Sequence, residues 1–171
     1  AYEIRNCDWS SDVCSSDLVC PGALVHWEDF GAANARRVLD RYRSVVPSFN
    51  DDIQGTSGVA AAVVLAGLRG LGQRLADQTI VIFGAGSAGC GIAERLHRLL
   101  QRQGLSPEQA ADRLWLLDRD GLLHDGLAHW SPAASPYVKR AEQVAGLARD
   151  GQGRIDLLAV VEAVQPGVLI G

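Results

Sequence analysis

Apolar and polar positions alternate along the chain in a way that predicts short strands separated by longer helices. Three short apolar runs bounded by turn formers, 79–83 (TIVIF), 114–118 (LWLLD) and 166–171 (PGVLIG), are typical of buried strands. A further short strand that ends in two acids is predicted over 24–30 (LVHWEDF). Strands and helices that alternate in this way indicate an α/β fold with a Rossmann-like parallel sheet.

Two helices are predicted before the second strand. The segment 32–46 has the spacing of an amphipathic helix and is expected to end before Pro47. Its predicted core positions are Ala35, Val38, Leu39 and Tyr42. The segment 49–56 (FNDDIQGT) is predicted to be a loop, with Thr56 capping the next helix. That helix, GVAAAVVLAGLRGL, has no polar face, so we expect it to be deeply buried.

The remaining helices are less regular. A helix (GIAERLHRLLQRQ) is predicted after the second strand, followed by a short helix with Ser106 as its N-cap. An irregular stretch over 119–137 is expected to precede a helix near 138–149 and a short segment near 155–164.

Composition separates the first eighteen residues from the rest. Residues 7–18 (CDWSSDVCSSDL) hold four Ser and three Asp, contain no Ala or Gly, and resemble a translated sequencing-library adapter. We therefore expect residues 1–18 to be a disordered artefact and the remainder to be an internal fragment of a longer protein. Without the three aspartates of that block, the formal charge changes from −4 to −1.

Charge, hydropathy and cysteine content narrow the class of protein. A sequence pI near 5.5 argues against a nucleic-acid partner, and no apolar run is long enough for a membrane span. Outside the adapter-like block only Cys20 and Cys90 remain, which predicts neither disulfides nor a zinc site and suits the cytoplasm.

A glycine-rich loop follows the strand 79–83 and opens a helix. Its pattern, Gly-Ala-Gly-Ser-Ala-Gly, predicts a dinucleotide site formed by Gly84, Ala85, Gly86, Ser87, Ala88 and Gly89. Asp118 ends the next strand, where a carboxylate can accept hydrogen bonds from the adenine ribose, which favours NAD. Arg119 beside it leaves NADP open as the alternative. The other interpretation of the glycines is that they only let a helix pack closely on a strand.

Four carboxylates form the second group of candidate residues. Glu28 and Asp29 end the strand over 24–30, and Asp51 and Asp52 follow in the loop. Hard oxygen donors without His or Cys suit Mg²⁺ or Mn²⁺. From spacing alone, solvated surface acids remain the alternative.

Four segments, taken in order, resemble the malic enzyme family. They are WEDFGAANARRVLDRYR, FNDDIQGTSGVAAAVVLAGLR, IVIFGAGSAGCGIA and LWLLDRDGLL. The resemblance implies that Glu28, Asp29 and Asp52 bind the divalent metal, that Asp52 also lies near the cofactor, and that Asp51 has a supporting role. It implies oxidation of L-malate to pyruvate and CO₂ with NAD or NADP by a parent enzyme that we expect to be a homo-oligomer.

The same resemblance implies a division of the chain and an incomplete active site. Residues 19–53 would end the malate- and metal-binding domain, and 54–171 would form an incomplete NAD-binding domain. The family's tyrosine acid, lysine base and malate-binding arginine precede the first matching segment, so no catalytic residue is assigned here and we expect the fragment alone to be inactive.

The chain departs from the family pattern at some positions, and several isolated residues have no expected role in catalysis. Ala33 and Arg36 stand where the family has His and Phe, for which we expect only mild repacking. His26, Cys90 and Lys139 are expected to be packing or surface residues. Two other functions stay open: a non-catalytic dinucleotide-binding module, and another metal-dependent NAD(P) dehydrogenase.

Overall fold

A computed structural model describes residues 22–171, and for residues 32 and 33 it describes the backbone only. The expectations for residues 1–18 and for Cys20 lie outside this part of the chain. Two sheets organise the described residues. The smaller sheet pairs β1 (Val25–Trp27) with β2 (Ser48–Asn50) in parallel. The strands of the larger sheet are β3 (Ile80–Phe83), β4 (Leu114–Asp118), β5 (Gly121–Leu122) and β6 (Val168–Ile170).

Helices connect and cover these strands. They are α1 (Ala32–Tyr42), α2 (Thr56–Gly70), α3 (Ser87–Arg102), α4 (Pro107–Asp112), α5 (Ala141–Val144) and α6 (Leu157–Val164). A π-helical turn, Asp51–Gly55, joins β2 to α2, and short 3₁₀ segments lie at Leu75–Asp77 and Pro132–Tyr137.

The larger sheet has the strand order β5-β4-β3-β6. β3 is parallel to both of its neighbours, and only β5 runs antiparallel, next to β4. The chain therefore leaves β3 toward one side and returns on the other, which creates a switch point at the carboxyl end of β3. The parallel α/β architecture predicted from the sequence is confirmed.

Both faces of the larger sheet are covered. Ile80 and Ile82 of β3 pack in a core with α2, α3 and α4, whereas Val81 faces a second core with α5 and α6. All three side chains are buried. Because neighbouring residues of a strand point to opposite faces, a continuous apolar run is what a sheet covered on both sides requires.

The first helix agrees closely with its sequence pattern. α1 begins at the predicted residue but ends at Tyr42, four residues before its predicted end. Its four predicted core positions, Ala35, Val38, Leu39 and Tyr42, are all buried. Ser106 also acts as predicted: its hydroxyl accepts from the backbone N–H of Gln109 in a capping box at the start of α4.

Three local predictions were wrong. The segment 49–56 is not a loop, because it completes β2 and continues as the π-helical turn. Thr56 does not cap α2; instead, the side chain of Asn50 accepts from the backbone N–H of Ile53 at the start of that turn. The helix expected near 138–149 is a single turn, α5, and the rest of that stretch is irregular.

The expected deep burial of α2 was also wrong. Its Ala61 and Leu68 are buried in the core, but Val59 and Val63 on the opposite side are 68% and 67% exposed. A helix contacts one neighbouring layer through a single stripe, so a helix that is apolar all round needs a second layer to be buried. No element of residues 22–171 covers that side of α2.

Within residues 22–171, the helices are all too short or too polar to cross a lipid bilayer.

Candidate dinucleotide site and neighbouring carboxylates

The glycine loop occupies the carboxyl end of β3, at the switch point of the sheet. Gly84 has φ +120°, a conformation that L side chains rarely adopt, and its N–H donates to the carbonyl of Leu117 at 2.8 Å. A Cβ at Gly89 would overlap the carbonyl oxygen of Gly84, so this glycine allows the helix to pack on the strand. Gly86 is the N-cap of α3 and has open space where a Cβ would lie. These are the conformations that a dinucleotide loop requires of its three glycines.

A small cavity of about 80 Å³ opens beside this loop. Gly86 and Ser87 line it from the loop, and Ile53 and Arg36 line it from the segment that precedes the larger sheet. Free N–H groups at the first turn of α3 and the partial positive charge of the helix make this end a favourable place for phosphate oxygens.

Cys90 forms part of the floor of the cavity. Its Sγ lies 3.2 Å from the carbonyl oxygen of Ala85, and the residue is 2% exposed. Burial raises the pKa of the Cys90 thiol, which outweighs the opposite effects of the Ser131 hydroxyl and of Arg36. The thiol is therefore kept neutral and acts as a small packing group, in line with the sequence interpretation.

Asp118 lies at the end of β4, next to the glycine loop. The hydrogen bond from Gly84 to Leu117 joins the loop to the residue that precedes Asp118. The side chain of Asp118 is exposed, and its Oδ1 accepts from the backbone N–H of Arg119 at 3.0 Å. The carboxylate is accessible on the edge of the sheet where a bound dinucleotide would extend its adenine ribose.

The four acids lie together at the carboxyl end of the smaller sheet. Trp27 is paired with Asn50, so Glu28 and Asp51 are the residues that follow this pair on the two strands. Asp52 reaches across, and its Oδ2 accepts from the backbone N–H of Phe30 at 3.2 Å. Parallel pairing thus brings to one edge two acidic pairs that are more than twenty residues apart in the chain.

His26 lies between the two acidic pairs. Its Nε2 is 3.9 Å from a carboxylate oxygen of Glu28 and also 3.9 Å from one of Asp51. Its ring stacks on Phe49 with a centroid distance of 4.4 Å. The imidazole is half-exposed, so it acts here as a surface packing group that also contacts the acids.

The four carboxylates have the chemistry expected of ligands for a hard divalent cation, but they do not point to one common position. Among residues 22–171, no three His, Cys, Asp or Glu side chains are close enough together to hold a metal ion as they stand. Glu28 and Asp29 are exposed, and Asp29 has φ +58°, a left-handed conformation that Asp tolerates better than most residues.

The π-helical turn joins the carboxylates to the glycine loop. A Cβ at Gly91, on α3, would lie 2.7 Å from the carbonyl oxygen of Ile53, so the turn rests directly on the helix that follows the loop. Gly55 serves the turn itself, because a Cβ there would overlap the carboxylate of Asp51. Neither glycine has a role that the sequence alone reveals; the only signal for Gly91 is that it lies two residues after the last glycine of the fingerprint.

Lys139 lies away from this site. It is 2% exposed, and its Nζ donates to the carbonyl oxygens of Ala111 and Asp112 at the end of α4, with the ring of Trp115 at 4.7 Å. These partners lie at the start of β4, whereas the glycine loop follows the end of β3. Its burial and its distance from the loop agree with a structural role, as the sequence analysis expected.

Comparisons with known proteins identify a family for most of the chain. Residues 53–171 match the family described as malic enzyme, NAD binding domain. Among curated relatives, the NAD-dependent malic enzyme 3 of Bacillus subtilis is 49% identical over 152 residues, which cover 88% of this chain and 27% of the relative. The malolactic enzyme of Lactococcus lactis is 38% identical over 157 residues, which cover 92% of this chain and 28% of the relative. The chain thus spans about a quarter of the length of these relatives.

Solved structures with a similar fold include two malic enzymes. An NAD-dependent malic enzyme from Thermotoga maritima has a TM-score of 0.69 at 24% identity, over 94% of this chain and 38% of that one. The Entamoeba histolytica malic enzyme has a TM-score of 0.67 at 22% identity, over 99% of this chain and 33% of that one. At this level of identity the likeness concerns the fold.

Proposed function

Since the chain belongs to the malic enzyme NAD-binding domain family, we propose that it is part of an NAD-dependent enzyme that oxidises and decarboxylates L-malate to pyruvate and CO₂. The main structural support is the hydrogen bond from the backbone N–H of Gly84 to the carbonyl oxygen of Leu117, which joins the Gly84–Gly89 loop to the end of β4. The first turn of α3, which favours phosphate, therefore follows a loop that contacts the strand ending in Asp118. NADP is the second candidate cofactor, because Arg119 follows Asp118 directly.

In this proposal the glycine loop and the end of β4 bind different parts of the dinucleotide. The backbone N–H groups at Gly86 and Ser87 bind the pyrophosphate, and the absence of a side chain at Gly86 lets it approach closely. Asp118 accepts from the ribose hydroxyls. NAD, when bound, supplies the hydride acceptor for C2 of malate.

The acids of the smaller sheet are proposed to bind a divalent cation, Mg²⁺ or Mn²⁺. Glu28, Asp29 and Asp52 are the candidate ligands, and Asp51 supports them from its position beside His26. A bound cation supplies electrostatic stabilisation for the charge that develops on substrate oxygens during decarboxylation. The π-helical turn holds these acids next to α3 through the contact of Ile53 with Gly91.

The location, assembly and domain division remain part of the proposal. A cytoplasmic location agrees with the cysteine content, and L-malate as substrate agrees with the name of the Bacillus subtilis relative. A homo-oligomeric assembly is retained as a prediction. The boundary between a metal-binding part over 19–53 and a cofactor-binding part over 54–171 is retained as a prediction.

Turnover of malate by the full-length protein that contains this chain tests the proposed function. We expect NADH to form in the presence of L-malate, NAD and Mn²⁺, and no turnover by the 171-residue chain alone. NADH formation should stop when the metal is chelated. Binding of NAD by the full-length protein without malate turnover would instead favour a non-catalytic dinucleotide-binding module.

Substitution of Glu28 tests the metal site separately. Glu28→Gln in the full-length protein should weaken Mn²⁺ binding by more than about tenfold, because it removes a charged oxygen donor. Binding is measured by the loss of the free Mn²⁺ signal in electron paramagnetic resonance. Asp40→Asn is the matched control: it removes the same charge from an exposed position on α1 and should leave Mn²⁺ affinity unchanged. Equal Mn²⁺ affinities for the unaltered protein, Glu28→Gln and Asp40→Asn would rule out Glu28 as a metal ligand.

A further inference from the structure

An arginine from outside the matched NAD-binding domain lines the cavity at the glycine loop. Arg36 lies on α1, before residue 53 where the family match begins. Its side chain is 31% exposed and lines the same cavity of about 80 Å³ as Gly86 and Ser87. Arg36 stands where the family has Phe. This replacement therefore does more than cause mild repacking, because it adds a permanent positive charge beside the glycine loop.

Glu94 holds the guanidinium of Arg36 in this position. Nη2 of Arg36 lies 2.8 Å from Oε2 of Glu94, whereas Arg98 binds the other carboxylate oxygen, Oε1. Although burial raises the pKa of Glu94, the hydrogen bond and charge of Arg36, together with Arg98, hold it below its usual value. Because the two arginines use different oxygens, Glu94 stays paired with Arg98 when Arg36 moves away.

Arg36 lines the same cavity as Cys90, whose Sγ lies 3.2 Å from the carbonyl oxygen of Ala85. The positive charge of Arg36 is among the effects that oppose the burial-induced rise in the pKa of Cys90. Ser87 and Glu94 are two turns apart on α3, a separation of roughly 10 Å along the helix. The side chain of Arg36 contacts Glu94 at one end of this stretch and lines the cavity beside Ser87 at the other.

We propose that Arg36 exchanges Glu94 for the pyrophosphate of the bound dinucleotide and thereby adds a charge-assisted hydrogen bond to the backbone N–H groups of the loop. This inference rests on the proposed function, because it assumes that a dinucleotide binds at Gly84–Gly89. The planar guanidinium suits two phosphate oxygens at once, and an arginine that serves only the ion pair with Glu94 would not affect nucleotide affinity through the phosphates.

The test compares three variants of the full-length protein by isothermal titration with ADP-ribose, which carries the pyrophosphate, and with adenosine, which does not. Arg36→Met should weaken ADP-ribose binding by about tenfold and leave adenosine binding unchanged. Arg98→Met removes the same charge from the same carboxylate and should have little effect. Glu94→Gln frees Arg36 and should keep or improve ADP-ribose affinity.

The outcomes separate this inference from the proposed function. If the unaltered protein and Arg36→Met bind ADP-ribose equally well, Arg36 is not a phosphate ligand. The proposed cofactor site is unaffected by that result. If Glu94→Gln weakens binding as much as Arg36→Met does, the ion pair acts structurally and the inference is wrong. If the unaltered protein binds neither ADP-ribose nor NAD, the proposed function itself fails.

Discussion

At the glycine loop, the space around each glycine differs, and with it the expected effect of adding one methyl group. Gly89 lies against the backbone of Gly84, whereas Gly86 has φ −78° and open space beside it. Gly89 is thus needed for the fold of the loop. Gly86 is needed for what approaches it, since no atom of residues 22–171 occupies its free side.

Alanine substitutions at these two glycines should therefore separate folding from binding. Gly89→Ala should lower the free energy of unfolding by about 1–3 kcal/mol, because its Cβ would force α3 away from β3. Gly86→Ala should change stability by less than about 0.5 kcal/mol but weaken NAD binding. Urea denaturation and NAD titration measure the two effects. A loss of stability in Gly86→Ala as large as that in Gly89→Ala would contradict this assignment.

Lys139 is a buried charged residue whose partners are mainly carbonyl oxygens. Burial lowers its pKa from 10.5 to about 8, and the charge of Asp112 opposes this only in part. In the unfolded chain the amine binds its proton up to a higher pH than in the folded protein. Stability should therefore rise with pH between about 8 and 10.5 as the folded state sheds its proton first.

The comparison of the protein with its Lys139→Met variant isolates this effect. The difference in free energy of unfolding, protein minus variant, should increase in favour of lysine between pH 8 and 10.5, while other titrating groups cancel. Urea denaturation at several pH values measures the difference. A difference that stays constant with pH would show that the pKa of Lys139 is the same in the folded and unfolded chain.

At the scale of elements, the contact between the π-helical turn and α3 is decisive because it joins the two halves of the site. The turn carries Asp51 and Asp52, and its Ile53 carbonyl lies against Gly91. On the side of the acids, this contact comes from a short turn and not from a strand. Its geometry depends on a short turn capped by the buried side chain of Asn50.

Gly91→Ala should disturb this junction. A Cβ 2.7 Å from the Ile53 carbonyl oxygen must push the turn away, and we expect a loss of about 1–3 kcal/mol in stability together with weaker Mn²⁺ binding. Gly67→Ala, in α2 where a Cβ meets nothing, is the control and should stabilise the protein by about 0.5–1 kcal/mol. Thermal denaturation measures both. If Gly91→Ala is as stable as Gly67→Ala, the turn moves away from α3 without a loss of stability, and the close contact at Gly91 is not needed for the fold.

At the scale of the whole molecule, strand order decides where the site lies. Because β4 and β6 flank β3 on opposite sides, the chain diverges above the carboxyl end of β3 and leaves room for a ligand at that point. The π-helical turn that carries Asp51 and Asp52 also supplies Ile53, which lines the same cavity as Gly86.

Much of the fold and part of the candidate site could be predicted from local pattern. The strands over 79–83 and 114–118, the core positions of α1 and the cap at Ser106 were all predicted correctly, because spacing and turn chemistry act over a few residues. The exposure of Val59 and Val63 was not, because burial of a second helix face depends on neighbours that hydrophobicity does not reveal.

By itself, the sequence determined four of the strands (β1, β3, β4 and β6), the longer helices, the glycine loop and its terminal acid, and the family to which these motifs point. Only the tertiary structure decided that β1 pairs with β2, that Gly91 receives the Ile53 carbonyl, and that Arg36 reaches Glu94 beside the glycine loop. The physical reason is range. Helix spacing, capping and turn formation involve residues close in the chain, whereas these contacts join residues more than twenty positions apart, and only packing brings them together.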